Sequence, residues 1–164
     1  MLITKFTRTY NSSSSRYFIL PMGTKIISYI SFAFLAIQIV LSIIIVAIDK
    51  TIPIHWNIYG EIDTYGDAYN ILIVTFLNIL SYILLHWLSM HPEVCNFPRP
   101  FKDKDVAFSN MSALLKWVEL YVAALMLYIT IGTLCNNLWI LVIYLLIIGL
   151  IYTAIAGIIR LSRS

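Results

Sequence analysis

Two groups of side chains in this sequence are of types and spacings that could do chemistry. The first lies in a polar, turn-rich island, Pro53-Ile54-His55-Trp56-Asn57-Ile58-Tyr59-Gly60-Glu61-Ile62-Asp63-Thr64-Tyr65-Gly66, set between long apolar runs. Within it, and just beyond, His55, Asn57, Gly60, Glu61, Asp63 and Asp67 form a candidate ligand-binding set. An imidazole and carboxylates so close in sequence could hold a divalent cation, with His55, Glu61 and Asp63 as ligands. They could equally hydrogen-bond a polar ligand or fasten the loop to itself. The spacing matches neither a calcium-binding EF-hand loop nor the two-histidine helix of a zinc protease. No nucleophile stands beside His55, so no catalytic residue is assigned, and an outer-face metal-dependent enzyme ranks below binding.

The second group is His86 and Glu119, each inside an apolar run. An unpaired ionisable side chain costs about 3 kcal/mol at the centre of a membrane helix, so a partner is expected. The two are predicted to approach one another, with Lys116 as the simpler partner for Glu119. A small proton-coupled transporter using Gln38, Asn78, His86 and Glu119 is the third functional alternative, although the outer halves of helices one to three offer only tyrosines as further protonatable groups.

The elements that must position these groups are set by composition. The chain has 164 residues, of which 60% are hydrophobic and 12% charged, with mean hydropathy +0.87, too apolar for a soluble fold of this size. Four runs reach the length needed to cross a bilayer, and their continuity argues against the alternating strands of a β-barrel. The expected architecture is an all-α integral membrane protein. It is a four-transmembrane-helix bundle with helices at about 26–48, 71–90, 114–134 and 138–159, forming one domain over 26–160. A folded outer loop, 49–70, joins helices one and two, and a cytoplasmic connection, 91–113, joins two and three. Residues 1–25, with bases and the run Ser12-Ser13-Ser14-Ser15, read as a mobile tail, and 161–164 as the cytoplasmic end.

Charge sets the orientation. Lys5, Arg8, Arg16 and Lys25 precede helix one with no acid among them. The first loop has Lys50 against Asp49, Glu61, Asp63 and Asp67, while Arg99, Lys102 and Lys104 lie in the second connection and Arg160 and Arg163 at the end. The positive-inside rule then places both termini in the cytoplasm, N-in/C-in, and the bases are topology signals with no nucleic-acid role. Cys95 and Cys135 fall on opposite sides of the membrane and are read as free thiols.

Polar residues recur at helical spacing. Ser31, Gln38 and Ser42 lie within about 40° of one another on helix one, a stripe that faces protein. Asn78, Tyr82, His86 and Ser89 on helix two are expected to meet Ser112, Lys116, Glu119, Ala123, Met126 and Thr130 on helix three. On helix four Gly149, Thr153 and Gly157 permit close helix approach, either inside the bundle or in a homodimer.

The island also carries a resemblance. Ile52-Pro53-Ile54-His55-Trp56-Asn57, then Gly60-Glu61-Ile62-Asp63 and Tyr65-Gly66, resembles the signature of small bacterial integral membrane proteins with a domain of unknown function, found also at the front of the immunity protein of the Sdp killing-factor system. Asn96-Phe97-Pro98 resembles a further element of these proteins. The resemblance implies the same topology and gives weight to His55, Asn57, Gly60 and Asp63. The expected role is recognition of a toxin, envelope peptide or lipid-linked ligand at the outer face, immunity- or sensor-like. A divalent cation at the loop is the only cofactor considered.

Overall fold

The computed structural model describes residues 22–48, 50–95 and 103–163. The first part of the predicted tail, the Asn96-Phe97-Pro98 element, Arg99, Lys102 and Asp49 lie outside them. In chain order the elements are α1 (Met22–Ile48), β1 (Thr51–Trp56), β2 (Ile62–Asp67), α2 (Asn70–Met90), a single 3₁₀ turn (Pro92–Val94), α3 (Lys104–Cys135) and α4 (Ile140–Arg163). All four helices are long and apolar enough to cross a membrane.

The pattern of burial is inverted relative to a soluble protein. The largest fully buried side chains include Lys116, Gln38, Glu119, Asn78 and Thr130, whereas Ile43, Phe32, Ile73, Phe76, Leu141 and Ile148 are exposed. Such a surface is stable only against hydrocarbon, where apolar side chains face lipid and polar ones must find partners inside.

Two expectations are corrected. The chain is not wholly α-helical, because the loop between α1 and α2 folds as an antiparallel two-stranded hairpin. Helix three begins at Lys104, ten residues before the apolar run, so the connection is shorter than 91–113. Its start is fixed by a cap: the Asp103 carboxylate accepts hydrogen bonds from the Asp105 and Val106 amides at 3.0 and 3.3 Å, satisfying two orphan donors. The helix of 32 residues is about 48 Å long and so extends beyond a hydrocarbon core of about 30 Å. Helix one likewise starts at Met22, inside the segment assigned to the tail.

α3 is central and packs against α1, α2 and α4, while α4 lies along α3 on the outside, with none of its described side chains buried. The small-residue stripe of α4 makes this contact. A Cβ at Gly149 would lie 2.8 Å from the Tyr121 ring, and one at Gly157 would lie 2.5 Å from the Leu114 side chain. Thr153 donates its hydroxyl back to the Gly149 carbonyl. The Gly149, Thr153 and Gly157 face thus makes a close helix contact within the chain.

The turn between α3 and α4 is fastened by one tyrosine. The Tyr128 hydroxyl donates to the Trp139 carbonyl at 3.0 Å and accepts from the Trp139 amide at 2.9 Å. Asn136, at φ 51°, ends α3 in the left-handed conformation that asparagine tolerates.

Candidate functional site

The hairpin is positioned from both sides. At its base Ile45 of α1, Ile52 of β1 and Ala68 and Ile71 at the start of α2 form one buried apolar cluster. At its tip Gly60, with φ +84°, sits so close to the α3–α4 turn that a Cβ would lie 2.5 Å from the Leu138 carbonyl oxygen. Positive φ and the lack of space both require glycine here. Asn57 builds the turn: its Oδ1 accepts from the Tyr59 and Glu61 amides at 2.9 and 3.0 Å, and its Nδ2 donates to Glu61 Oε2 at 2.8 Å. An asparagine that mimics the backbone in this way is a standard device of tight loops.

The ladder between the strands runs regularly from Thr51 opposite Asp67 to Pro53 opposite Tyr65, then breaks. His55 faces Thr64 and Trp56 faces Ile62, so Ile54 and Asp63 are each an extra residue on their strands. Bulges of this kind re-aim side chains. Here they bring His55 Nδ1 within 2.6 Å of Asp63 Oδ1, with both side chains exposed. With Nδ1–H donating to the carboxylate, the ring is held in one orientation and its Nε2 is left to accept a bond or bind a metal.

Of the sequence-predicted ligand set, the structure therefore brings together His55 and Asp63. Glu61 is directed to Asn57, and among the described residues no three His, Cys, Asp or Glu side chains converge in a way that could hold a metal ion. This corrects the expectation of a three-ligand His55, Glu61 and Asp63 site. Asp67 accepts from the Tyr69 amide at 2.8 Å at the entrance to α2. Asn57 and Gly60 shape the turn that presents the pair.

The intramembrane group lies in a polar seam through α1, α2 and α3. Near the hairpin end Ser42 and Thr75 share a hydrogen bond of 2.6 Å, and Asn78 donates to Gln38. Further along, Lys116 Nζ is 2.8 Å from His86 Nδ1 and 2.9 Å from Glu119 Oε2. At the far end the Ser112 hydroxyl donates to the Ser89 carbonyl at 2.7 Å. The expected His86 and Glu119 approach is 3.7 Å, and Lys116 bridges it. Because an ammonium has only donors, His86 Nδ1 must be the acceptor and its ring proton sits on Nε2.

The side chains of Lys116 and Glu119 are completely buried and that of His86 is 41% exposed. Tyr82 packs near the imidazole, with ring centroids 5.5 Å apart. Among the described residues Glu119 Oε1 and Gln38 Nε2 make no hydrogen bond. The stripe on helix three contained Lys116, yet its place between the other two was not apparent from spacing. Its separation of three residues from Glu119 was the available signal. Thr75 was missed: it lies three residues before Asn78 on the same helical face.

Cys95 and Cys135 are both free thiols. Burial pushes the Cys95 thiol up from its ordinary value, and the nearby Glu93 charge adds to the shift.

Residues 33–79 match the family described as a domain of unknown function, DUF1648. No curated protein and no solved structure matches the chain. The matched segment runs from within α1 through the hairpin into α2, and so contains His55, Asp63 and the Gln38 to Asn78 part of the seam, while His86, Lys116 and Glu119 lie beyond it. The chain is thus a multi-pass membrane protein that resembles the DUF1648-bearing proteins across its first two helices and the hairpin between them.

Proposed function

We propose that this protein recognises a ligand at the outer face of a bacterial cytoplasmic membrane through the 53–66 hairpin, in an immunity- or sensor-like role, with both termini in the cytoplasm. The observation that carries the reading is the build of the hairpin. It is anchored at its base and tip, and its bulges present a preoriented His55–Asp63 pair among exposed Ile54, Ile58, Tyr59 and Tyr65. Rigid aromatic and apolar side chains around a few fixed polar groups are what a recognition surface needs. The segment 50–70 carries Lys50 against Glu61, Asp63 and Asp67, so a cationic peptide is the favoured ligand among toxin, envelope peptide and lipid-linked molecule.

The test is to titrate amphipathic peptides of equal length and opposite charge into the protein in nanodiscs, using wild type, His55→Ala and Asp63→Ala. Cationic peptide should bind wild type more tightly and lose about tenfold in affinity in either variant, in line with removal of a charged contact. Binding that ignores peptide charge, or that survives both substitutions in folded protein, overturns the reading.

A second reading, a proton-coupled carrier, is favoured by one observation: Gln38, Asn78, His86 and Glu119 all fall in the same buried seam. Ionisable groups at membrane depth mark ion pathways in many membrane proteins. It predicts pH-driven flux in liposomes that Glu119→Gln abolishes, and its absence from folded wild-type protein removes this option.

A further inference from the structure

α4 meets the rest of the helical bundle along one line, and a groove of about 300 Å³ opens beside that line between α3 and α4. Gly149 against Tyr121 and Gly157 against Leu114 bring the helix axes close. The antiparallel pairing continues, one turn later, to Arg160 beside Asn110. The groove has two kinds of lining. Trp117, Tyr152, Ala156 and Gly157 supply apolar and aromatic walls, whereas Arg160 and Asn110, each about one turn beyond the Gly157–Leu114 contact on its own helix, add a cation and an amide to the lining.

Depth decides what such a groove can hold. Arg160 is twenty residues along α4 from Ile140, about 30 Å of helix, which is the thickness of a hydrocarbon core. The cation and the amide are therefore at the headgroup boundary opposite the hairpin, and the aromatic part of the groove lies at acyl-chain depth. A guanidinium is suited to phosphate oxygens because it offers two parallel donors. Asp105, in the first turn of α3, is not part of the lining.

We propose that the α3–α4 groove is a binding site for one anionic phospholipid, with its phosphate on Arg160 and Asn110 and an acyl chain against Trp117, Tyr152 and the Ala156–Gly157 surface. Charge complementarity selects an anionic headgroup over a zwitterionic one, since the choline of the latter cancels its phosphate. The bound lipid fills the flank beside the close Gly149–Tyr121 and Gly157–Leu114 contacts, and so joins α4 to α3 more firmly than that narrow helix contact alone.

The test is native mass spectrometry of detergent-purified protein titrated with phosphatidylglycerol or phosphatidylcholine of matched chains. Wild type should retain one phosphatidylglycerol with at least about fivefold preference, the effect expected of one cationic side chain at a membrane surface. Arg160→Gln should bring the two lipids to parity, Ala156→Phe should reduce retention of both by filling the groove, and Lys25→Gln, a base elsewhere, should change nothing. The proposal is overturned if wild type shows no preference, if Lys25→Gln costs as much as Arg160→Gln, or if Ala156→Phe in folded protein retains lipid as wild type does. Displacement of the lipid by inorganic phosphate at equal concentration also overturns it, because the site would then bind phosphate alone.

Discussion

Glu119→Gln removes the negative charge that holds Lys116 inside the membrane. The Lys116 ammonium is 2.9 Å from Glu119 Oε2 and 2.8 Å from His86 Nδ1, and both the lysine and glutamate side chains are wholly buried. After the substitution the ammonium faces neutral acceptors alone. Breaking a buried pair by removing one partner costs about 3–5 kcal/mol, and a lone lysine at the centre of a membrane helix costs about 3 kcal/mol. A loss of about 3 kcal/mol lowers the ratio of folded to unfolded protein by roughly a hundredfold. Lys116→Met should cost a similar amount, since it strands the carboxylate. The double variant, Lys116→Met with Glu119→Gln, removes both charges and should fall within about 1 kcal/mol of wild type, because neutral replacements of a buried pair are often tolerated. Equilibrium unfolding of the purified protein by SDS titration reads all four stabilities and hence the coupling between the sites. Single losses below about 0.5 kcal/mol, or losses that simply add in the double variant, would refute the reasoning, since either result means the charges are not desolvated together.

Other outcomes follow from the same geometry. Gly60→Ala combines positive φ with a Cβ placed 2.5 Å from the Leu138 carbonyl and should cost about 1–3 kcal/mol, seen as a lower thermal midpoint. Gly149→Leu should detach α4 from Tyr121, read as faster proteolysis of the α3–α4 turn and a lower midpoint, with the first three helices still assembled. At neutral pH Cys95 should alkylate more slowly than exposed Cys135, because a raised thiol holds less thiolate, and the gap should narrow as pH rises. A membrane-impermeant maleimide should label Cys135 in intact cells and Cys95 only after permeabilisation, which measures the orientation directly.

The helices were legible because membrane spans need long apolar runs, and the polar stripes were legible because a helix repeats every 3.6 residues. His86 and Ser89 of α2 meet Lys116 and Ser112 of α3 as their spacing predicts, whereas Asn78, expected to face α3, pairs with Gln38 of α1, and Ser42 meets Thr75. The start of α3 was not legible, since Lys104 to Ala113 lacks the hydropathy of a span and forms helix from the Asp103 cap outward. The small-residue stripe of α4 was visible, but spacing alone could not name its neighbours inside the chain, which are Tyr121 and Leu114. In the hairpin, the turn residues Asn57 and Gly60 were readable from their backbone preferences. The His55–Asp63 pair was not, because it depends on bulges at Ile54 and Asp63 that shift the register on each strand. Glu61 stands apart from the pair for a different reason: Asn57, four residues before it, takes up its carboxylate.

The most direct test of the hairpin as a recognition surface is site-specific photocrosslinking in nanodiscs with a cationic amphipathic peptide as probe. The photoreactive residue is placed at Tyr59, 77% exposed at the hairpin tip, or at Leu77, exposed on the lipid-facing side of α2. A recognition surface at the hairpin gives a peptide adduct at position 59, little at position 77, and loss of the adduct when Asp63→Ala is added. Equal labelling at both positions, or an adduct at 59 that persists undiminished without Asp63, would contradict it.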